Sequence, residues 1–293
     1  MSSKLPRRRF SRAALLLTLA MAAPAGAQAA DNGCAKPLSQ DIPKRSAKAP
    51  SGSSLMNKLM KTSGTARDDA IATEVLSGNV PGFLRDLTPV TIWSALGGQP
   101  VAVTICVTPG YLSVGDDDDY VQVPLGLSAA ARIASELGFY LPTPKMVDAI
   151  YDQAEVRVSP SPMQPTAQME STDYLVRHNR TVQDQLVKVG GKPKYLTAGH
   201  KKDIVLTKRL TAKPGRVAIY GWHRTNGKPI QPLSTVHGAE YADYSHGVRL
   251  VSGTAYVNGK PMPLADLMKD KHMAQLLTEE GPMDPNQLQA KLY

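Results

Sequence analysis

The sequence predicts an α+β fold in which short mixed or antiparallel strands are surrounded by helices. Three observations carry that expectation. Val101, Val103, Ile105 and Val107 alternate with Ala102, Thr104 and Cys106, the period-two pattern of a half-buried strand. Ile71, Val75 and Leu76 make an apolar helical stripe before Gly78 and Pro81. Segments of both kinds recur on either side of a proline-rich break, Ser159-Pro160-Ser161-Pro162-Met163-Gln164-Pro165.

Residues 1–29 have the three features of a cleavable signal peptide. Lys4, Arg7, Arg8, Arg9 and Arg12 form a charged start without an acidic residue. Ala13 to Ala23 is apolar but too short to span a bilayer. Ala27-Gln28-Ala29 then offers small residues at a cleavage site. Arg7-Arg8-Arg9-Phe10-Ser11-Arg12 also resembles a twin-arginine signal, the route that carries folded proteins. The expected address is therefore outside the cytoplasm, periplasmic or secreted, with no stable membrane insertion after cleavage. This segment holds five of the 34 Lys and Arg and none of the 25 Asp and Glu, leaving 29 basic against 25 acidic residues. That mild excess has no basic-aromatic stripe, and nucleic acid is not an expected partner.

In order, residues 30–54 read as a flexible leader rich in Lys, Pro, Ser, Ala and Gly. An N-terminal α+β region follows over 55–158, a Pro-rich connection over 159–168, and a C-terminal α+β region over 169–293. Thr65-Ala66-Arg67-Asp68 has capping-box character ahead of the first helix. Tyr111–Val114 and Tyr120–Val123 read as a strand pair flanking Asp116 to Asp119, whose spacing suits a solvated turn better than a calcium loop. Ser128 is expected to cap a helix ending at Gly138, and Pro144 to open another through Ala154. Past the break, 170–189 reads as a polar helix. Residues 203–206, 216–222 and 248–251 read as strands, 254–257 as half a hairpin turning at Asn258-Gly259, and the stretch from Leu264 as helical. In an oxidising compartment Cys34 and Cys106 predict one disulfide.

His200, His223, His237 and His246 fall within 47 residues, together with Asp203, Asp243, Ser234, Ser245, Tyr241, Tyr244 and Trp222. Histidine is costly to bury without partners, so this density predicts a shared site. One chemistry it suits is a divalent metal such as zinc, held by a subset of His200, Asp203, His223, His237, Asp243 and His246, although no established ligand spacing is present. Another is a serine nucleophile, Ser245 or Ser234, with a histidine base oriented by Asp203 or Asp243.

His237-Gly238-Ala239 followed by Ser245-His246-Gly247-Val248-Arg249-Leu250 resembles the signature of the L,D-transpeptidases. Those exported enzymes cross-link peptidoglycan through a cysteine thioester on a mostly β domain, and their signature runs His-Gly, a variable stretch, then Ser-His-Gly-Cys and a following Arg. The resemblance covers residues 216–262 and implies that His237 matches the first histidine, and Ser245, His246, Gly247 and Arg249 the second block. Val248 stands where the nucleophilic cysteine belongs, and valine forms no thioester. The function expected from these readings is a cell-envelope hydrolase acting on peptidoglycan or a related polymer. His237, Asp243, Ser245 and His246 would be its catalytic groups, with Arg249 holding a substrate carboxylate. The alternative is a non-catalytic envelope-binding protein that keeps the motif without the nucleophile.

Overall fold

The computed structural model describes residues 33–34 and 42–293; the signal-peptide segment 1–29 lies outside the described residues. The first elements are α1 (Gly52–Lys58) and α2 (Gly64–Leu76). In α2 the expected stripe is buried through Ile71, Ala72 and Val75. Its N-cap is Ser63 rather than Thr65, and no side chain caps it. Asp68 turns inward instead, accepting from the Arg67 side chain and from Gly126 N at 2.7 Å.

Strands β1 (Thr88–Leu96) and β2 (Gln99–Val107) form an antiparallel hairpin. Its turn, Gly97-Gly98, has φ of +57° and +79°, a conformation glycine adopts without strain. The next pair, β3 (Ser113–Gly115) and β4 (Tyr120–Gln122), flanks the acidic run as expected. There Asp116 Oδ1 accepts from the backbone N–H groups of Asp118 and Asp119, so the run is a self-capped turn. Then come α3 (Leu127–Glu136), capped at Gly126 rather than Ser128, β5 (Phe139–Tyr140) and α4 (Pro144–Gln153). Thr143 caps α4 by accepting from Met146 N, and Pro144 sits in the first turn where no N–H is needed. The Pro-rich segment runs between β6 (Val156–Arg157) and α5 (Thr172–Lys188).

The remaining strands are β7 (Thr197–Ala198), β8 (Lys202–Ile204), β9 (Ile219–His223), β10 (Pro229–Ser234), β11 (His246–Gly247), β12 (Val251–Val257) and β13 (Lys260–Pro263). A short α6 (Arg209–Ala212) precedes β9, and α7 (Leu264–Lys269), α8 (Ala274–Leu277) and α9 (Pro285–Ala290) follow β13. One sheet has the order β1-β2-β12-β13, with β5 also paired to β12; the other runs β10-β9-β8-β11. Every pairing in the first is antiparallel, whereas β8 and β11 run parallel in the second. The fold is thus α+β, as expected. The β12–β13 turn places Asn258 at φ +48° and Gly259 at +80°, the geometry that Asn-Gly favours. Residues 248–250, expected as strand, lead into β12 without pairing in a sheet of their own.

The proline-rich connection does not separate the chain into distinct cores. Strand β2 pairs with β12 across it, and one hydrophobic cluster draws Val90, Ile105, Ile133, Ile204, Val248 and Leu267 from both sides. The expected leader is also shorter than its composition suggested. Ile42 is buried, and Arg45 donates to Asn79 Oδ1 at 2.9 Å and to Gly115 O at 3.1 Å. Cys34 and Cys106 form the expected disulfide, tying residues 33–34 to β2. Among the described residues no helix is long and apolar enough to cross a membrane.

Candidate functional site

Strand alternation splits the histidine-rich window. β8 pairs in parallel with β11, His246 beside Lys202 and Gly247 beside Asp203. Neighbouring residues on a strand face opposite ways, so Lys202 and His246 lie on one side of the sheet and Asp203 on the other. The face that carries Asp203 packs closely: a Cβ at Gly247 would lie 2.7 Å from both the Lys201 Cβ and the Tyr111 ring, so Gly247 lets that ring approach the strand. On the adjoining strand Gly221 has φ +102° and Trp222 φ +54°. A tryptophan in the left-handed region stores strain of roughly 1–3 kcal/mol.

The first face gathers His237, Tyr241, Asp243, Ser245 and His246, with Lys202 beside them. A tight turn, closed by His246 N donating to Asp243 O at 3.1 Å, folds the two ends of this stretch together. Asp243 Oδ1 accepts from Ser245 N at 2.7 Å and from Ser245 Oγ at 2.5 Å, while Oδ2 accepts from the Tyr241 hydroxyl at 3.2 Å. Lys202 Nζ stands 3.7 Å from Oδ2 and 4.8 Å from the Trp222 ring. Burial alone would raise the Asp243 pKa, but His246, Lys202 and the two Ser245 donors outweigh it and hold it down to about 2. Asp243 is therefore a carboxylate at neutral pH.

His246 is wholly buried, and neither ring nitrogen has a partner among the described residues. Desolvation lowers its pKa to about 4, against the opposing pull of Asp243, so the ring is neutral at pH 7. Tyr241 meets it edge-on, with ring centroids 5.7 Å apart, and stacks on His237 at 4.2 Å. His237 and Tyr241 are half-buried and form the solvent-facing side of the cluster.

The opposite face holds a different set. Asp203 Oδ2 accepts from the Tyr111 hydroxyl at 2.9 Å, and burial lifts the Asp203 pKa to about 6 despite nearby Arg249. Arg249, expected to hold a substrate carboxylate, is fully buried. Its two terminal nitrogens donate to Thr108 O at 2.7 Å and Thr197 O at 2.6 Å, and its guanidinium lies 4.4 Å from the Tyr111 ring centroid. A guanidinium spent on backbone carbonyls ties β2 to β7 and is not presented to a substrate carboxylate. His200 meets Tyr111 edge-on at 5.0 Å and bonds through Nε2 to Gln122 Oε1 at 3.2 Å. Lys201, whose Cβ flanks Gly247 beside Tyr111, is wholly buried and bonded to Tyr244 O at 2.7 Å and His178 Nδ1 at 3.2 Å. Desolvation brings its pKa down to about 7.

His223 belongs to neither set. It stacks on Tyr151 at 4.5 Å and bonds through Nε2 to Asp148 at 2.9 Å, where Tyr220 also donates. Of the six side chains expected as metal ligands, then, His237, Asp243 and His246 come together, while His200, Asp203 and His223 take other partners. Among the described residues no three His, Cys, Asp or Glu side chains are grouped to hold a metal ion. Ser234, the other serine weighed as a nucleophile, lies on β10, paired with Ile219 and away from this turn.

Val248, at the position of the transpeptidase cysteine, is buried in the hydrophobic core, and both cysteines of the chain are consumed by the disulfide. No thiol remains to form a thioester. No family model matches the chain, and neither a curated protein nor a solved structure matches it. Tyr241 and Lys202 belong to the cluster although the motif does not include them. The signal for Tyr241 was its place in the dense window, and Lys202 shows itself only once the β8–β11 register is known.

Proposed function

We propose that this chain is an exported cell-envelope hydrolase, acting on peptidoglycan or a related polymer, that moves protons through His237 and His246. The observation that carries this reading is His246, a neutral buried imidazole with two unpartnered nitrogens beside an ionised Asp243. Leaving buried polar atoms unpaired costs about 1–3 kcal/mol each, and such atoms persist where chemistry requires them. His237, stacked over Tyr241, is the imidazole that a substrate can reach. In this reading His237 takes a proton from an attacking water and returns it to the leaving group, Asp243 orients Tyr241 and Ser245, and His246 is a second imidazole whose protonated form the carboxylate would stabilise. The disulfide supports an oxidising compartment, and the signal-like residues 1–29 supply the export route.

The test is release of fragments from purified peptidoglycan, followed by mass spectrometry. The His237→Ala and His246→Ala variants are expected to lose about 10²–10⁴-fold in turnover. Full turnover in both would overturn the reading. The absence of any thiol favours a second reading, a non-catalytic envelope-binding protein. Co-sedimentation with peptidoglycan, unaccompanied by fragment release from the parent protein, would support it instead.

A further inference from the structure

Tyr111 also lines a concavity that holds none of the His237 cluster. It is a cleft of about 230 Å³ between β3–β4 and the C-terminal end of α5. Phe83, Tyr111 and Tyr120 give it aromatic walls, Gln122 and Gln183 give it carboxamides, and Lys192 is its one charged side chain. Phe83 and Tyr120 pack edge to face with centroids 4.9 Å apart.

The two carboxamides are oriented by the protein. His200 Nε2 bonds to Gln122 Oε1 at 3.2 Å, and the Tyr120 hydroxyl donates to Gln183 Oε1 at 3.2 Å. With each oxygen engaged, each amide keeps its NH₂ for something else. Gln183 Nε2 is buried and has no partner among the described residues, and Gln122, itself 5 % exposed, is held further by its backbone N–H donating to Asn179 Oδ1 at 3.0 Å. A ligand that pairs these amide groups presents an acceptor to them. Lys192 is exposed and lies over the Tyr195 ring, 5.9 Å away, so the donors inside the cleft are the neutral carboxamides. The ligand must offer an apolar face or methyl to the aromatic walls. Clefts for drug-sized ligands usually exceed roughly 300 Å³, so this one takes a single ring.

We infer that this cleft binds a sugar ring bearing an acetamido group, whose carbonyl accepts from Gln183 and Gln122 and whose methyl and ring C–H face lie on Phe83 and Tyr120. The inference does not rest on the hydrolase reading, since the cleft shares no side chain with the His237 cluster.

Calorimetric titration of the full chain with chitotetraose, and with cellotetraose as a hydroxyl-only control, tests it. Chitotetraose is expected to bind and cellotetraose to bind at least about tenfold more weakly, the loss of one good hydrogen bond. Gln183→Leu is expected to weaken chitotetraose about tenfold. Tyr120→Phe keeps the ring but releases the Gln183 amide, so it should weaken binding by a smaller factor and serves if Gln183→Leu does not fold. Fragment release from peptidoglycan, assayed on the same Gln183→Leu protein, is expected to persist, which separates failure here from failure of the hydrolase reading. No binding of chitotetraose, equal binding of the two sugars, or parent-like affinity in the folded cleft variants would overturn the inference.

Discussion

Asp203 and Asp243 are both buried, both near cations, and sit on opposite sides of strands β8 and β11. Their carboxyl groups nonetheless shift in opposite directions, to about 6 and about 2. Asp243 accepts from Ser245 twice and from Tyr241 once, with Lys202 and His246 close by. Asp203 accepts from Tyr111, while Arg249 spends its terminal nitrogens on the carbonyls of Thr108 and Thr197. Burial is common to the two; donor supply is not. The Asp203 side uses its charged group to knit backbone segments together and leaves one nitrogen each of His200 and Arg249 unpaired among the described residues, whereas the Asp243 side supplies its carboxylate well and leaves both nitrogens of the neighbouring imidazole unpaired. The first pattern makes a structural joint; the second leaves an imidazole free for the chemistry proposed above.

The largest effect that would break this contrast is on stability. Arg249→Met removes charge-assisted bonds to two buried carbonyls and should cost about 3 kcal/mol in urea unfolding. A loss below about 1 kcal/mol would mean that Arg249 is not the joint described. His246→Leu should do the reverse. It removes two unpaired nitrogens and fills a similar volume, so stability should hold or rise within about 1 kcal/mol while peptidoglycan turnover collapses. A strongly destabilised His246→Leu would show that the imidazole has a structural partner after all.

Smaller effects appear in pH dependence. The Asp243 carboxyl is depressed below its usual value, so its contribution is complete above about pH 4 and is lost as pH falls toward about 2. The Asp203 carboxyl is raised, so the unfolded chain ionises first as pH climbs. Its penalty grows from about pH 4 to about pH 6 and stays in force above that. His246, depressed to about 4, adds a loss of stability as pH falls below about 6.5. The carboxylates are therefore read as differences between parent and variant. Urea midpoints should show Asp203→Asn gaining on the parent between about pH 4 and 6, and Asp243→Asn removing the parent's decline below about pH 4. Parallel curves for parent and variants would erase the distinction between the two sides.

Much of the secondary structure was legible because its patterns are local. The alternation of residues 101–107 became β2, Asn258-Gly259 became a hairpin turn, and Pro144 opened α4. What failed depended on distant partners. Thr65 and Asp68 looked like a capping box, but Asp68 is claimed by Gly126, remote in sequence. The Pro-rich break looked like a domain boundary because composition does not reveal that β2 pairs with β12. Proximity in sequence grouped His237, Asp243, Ser245 and His246, which the structure also brings together. It did not reveal that His200, Asp203, His223 and Arg249 take other partners, since their directions follow from strand register. Tyr111, which organises the second face, comes from a loop about a hundred residues earlier in the chain.

The β2–β12 pairing also bears on how the chain reaches its fold. Residues 99–107 must wait for residues 251–257 before the central sheet can close, and joining partners so far apart is entropically slow. Until then β2 is paired only with β1 and presents an open edge of Val103, Ile105 and Val107 to any other strand it meets. A growing or threaded chain passes through this aggregation-prone interval however stable the finished protein is, and a truncation ahead of Val251 would hold it there permanently.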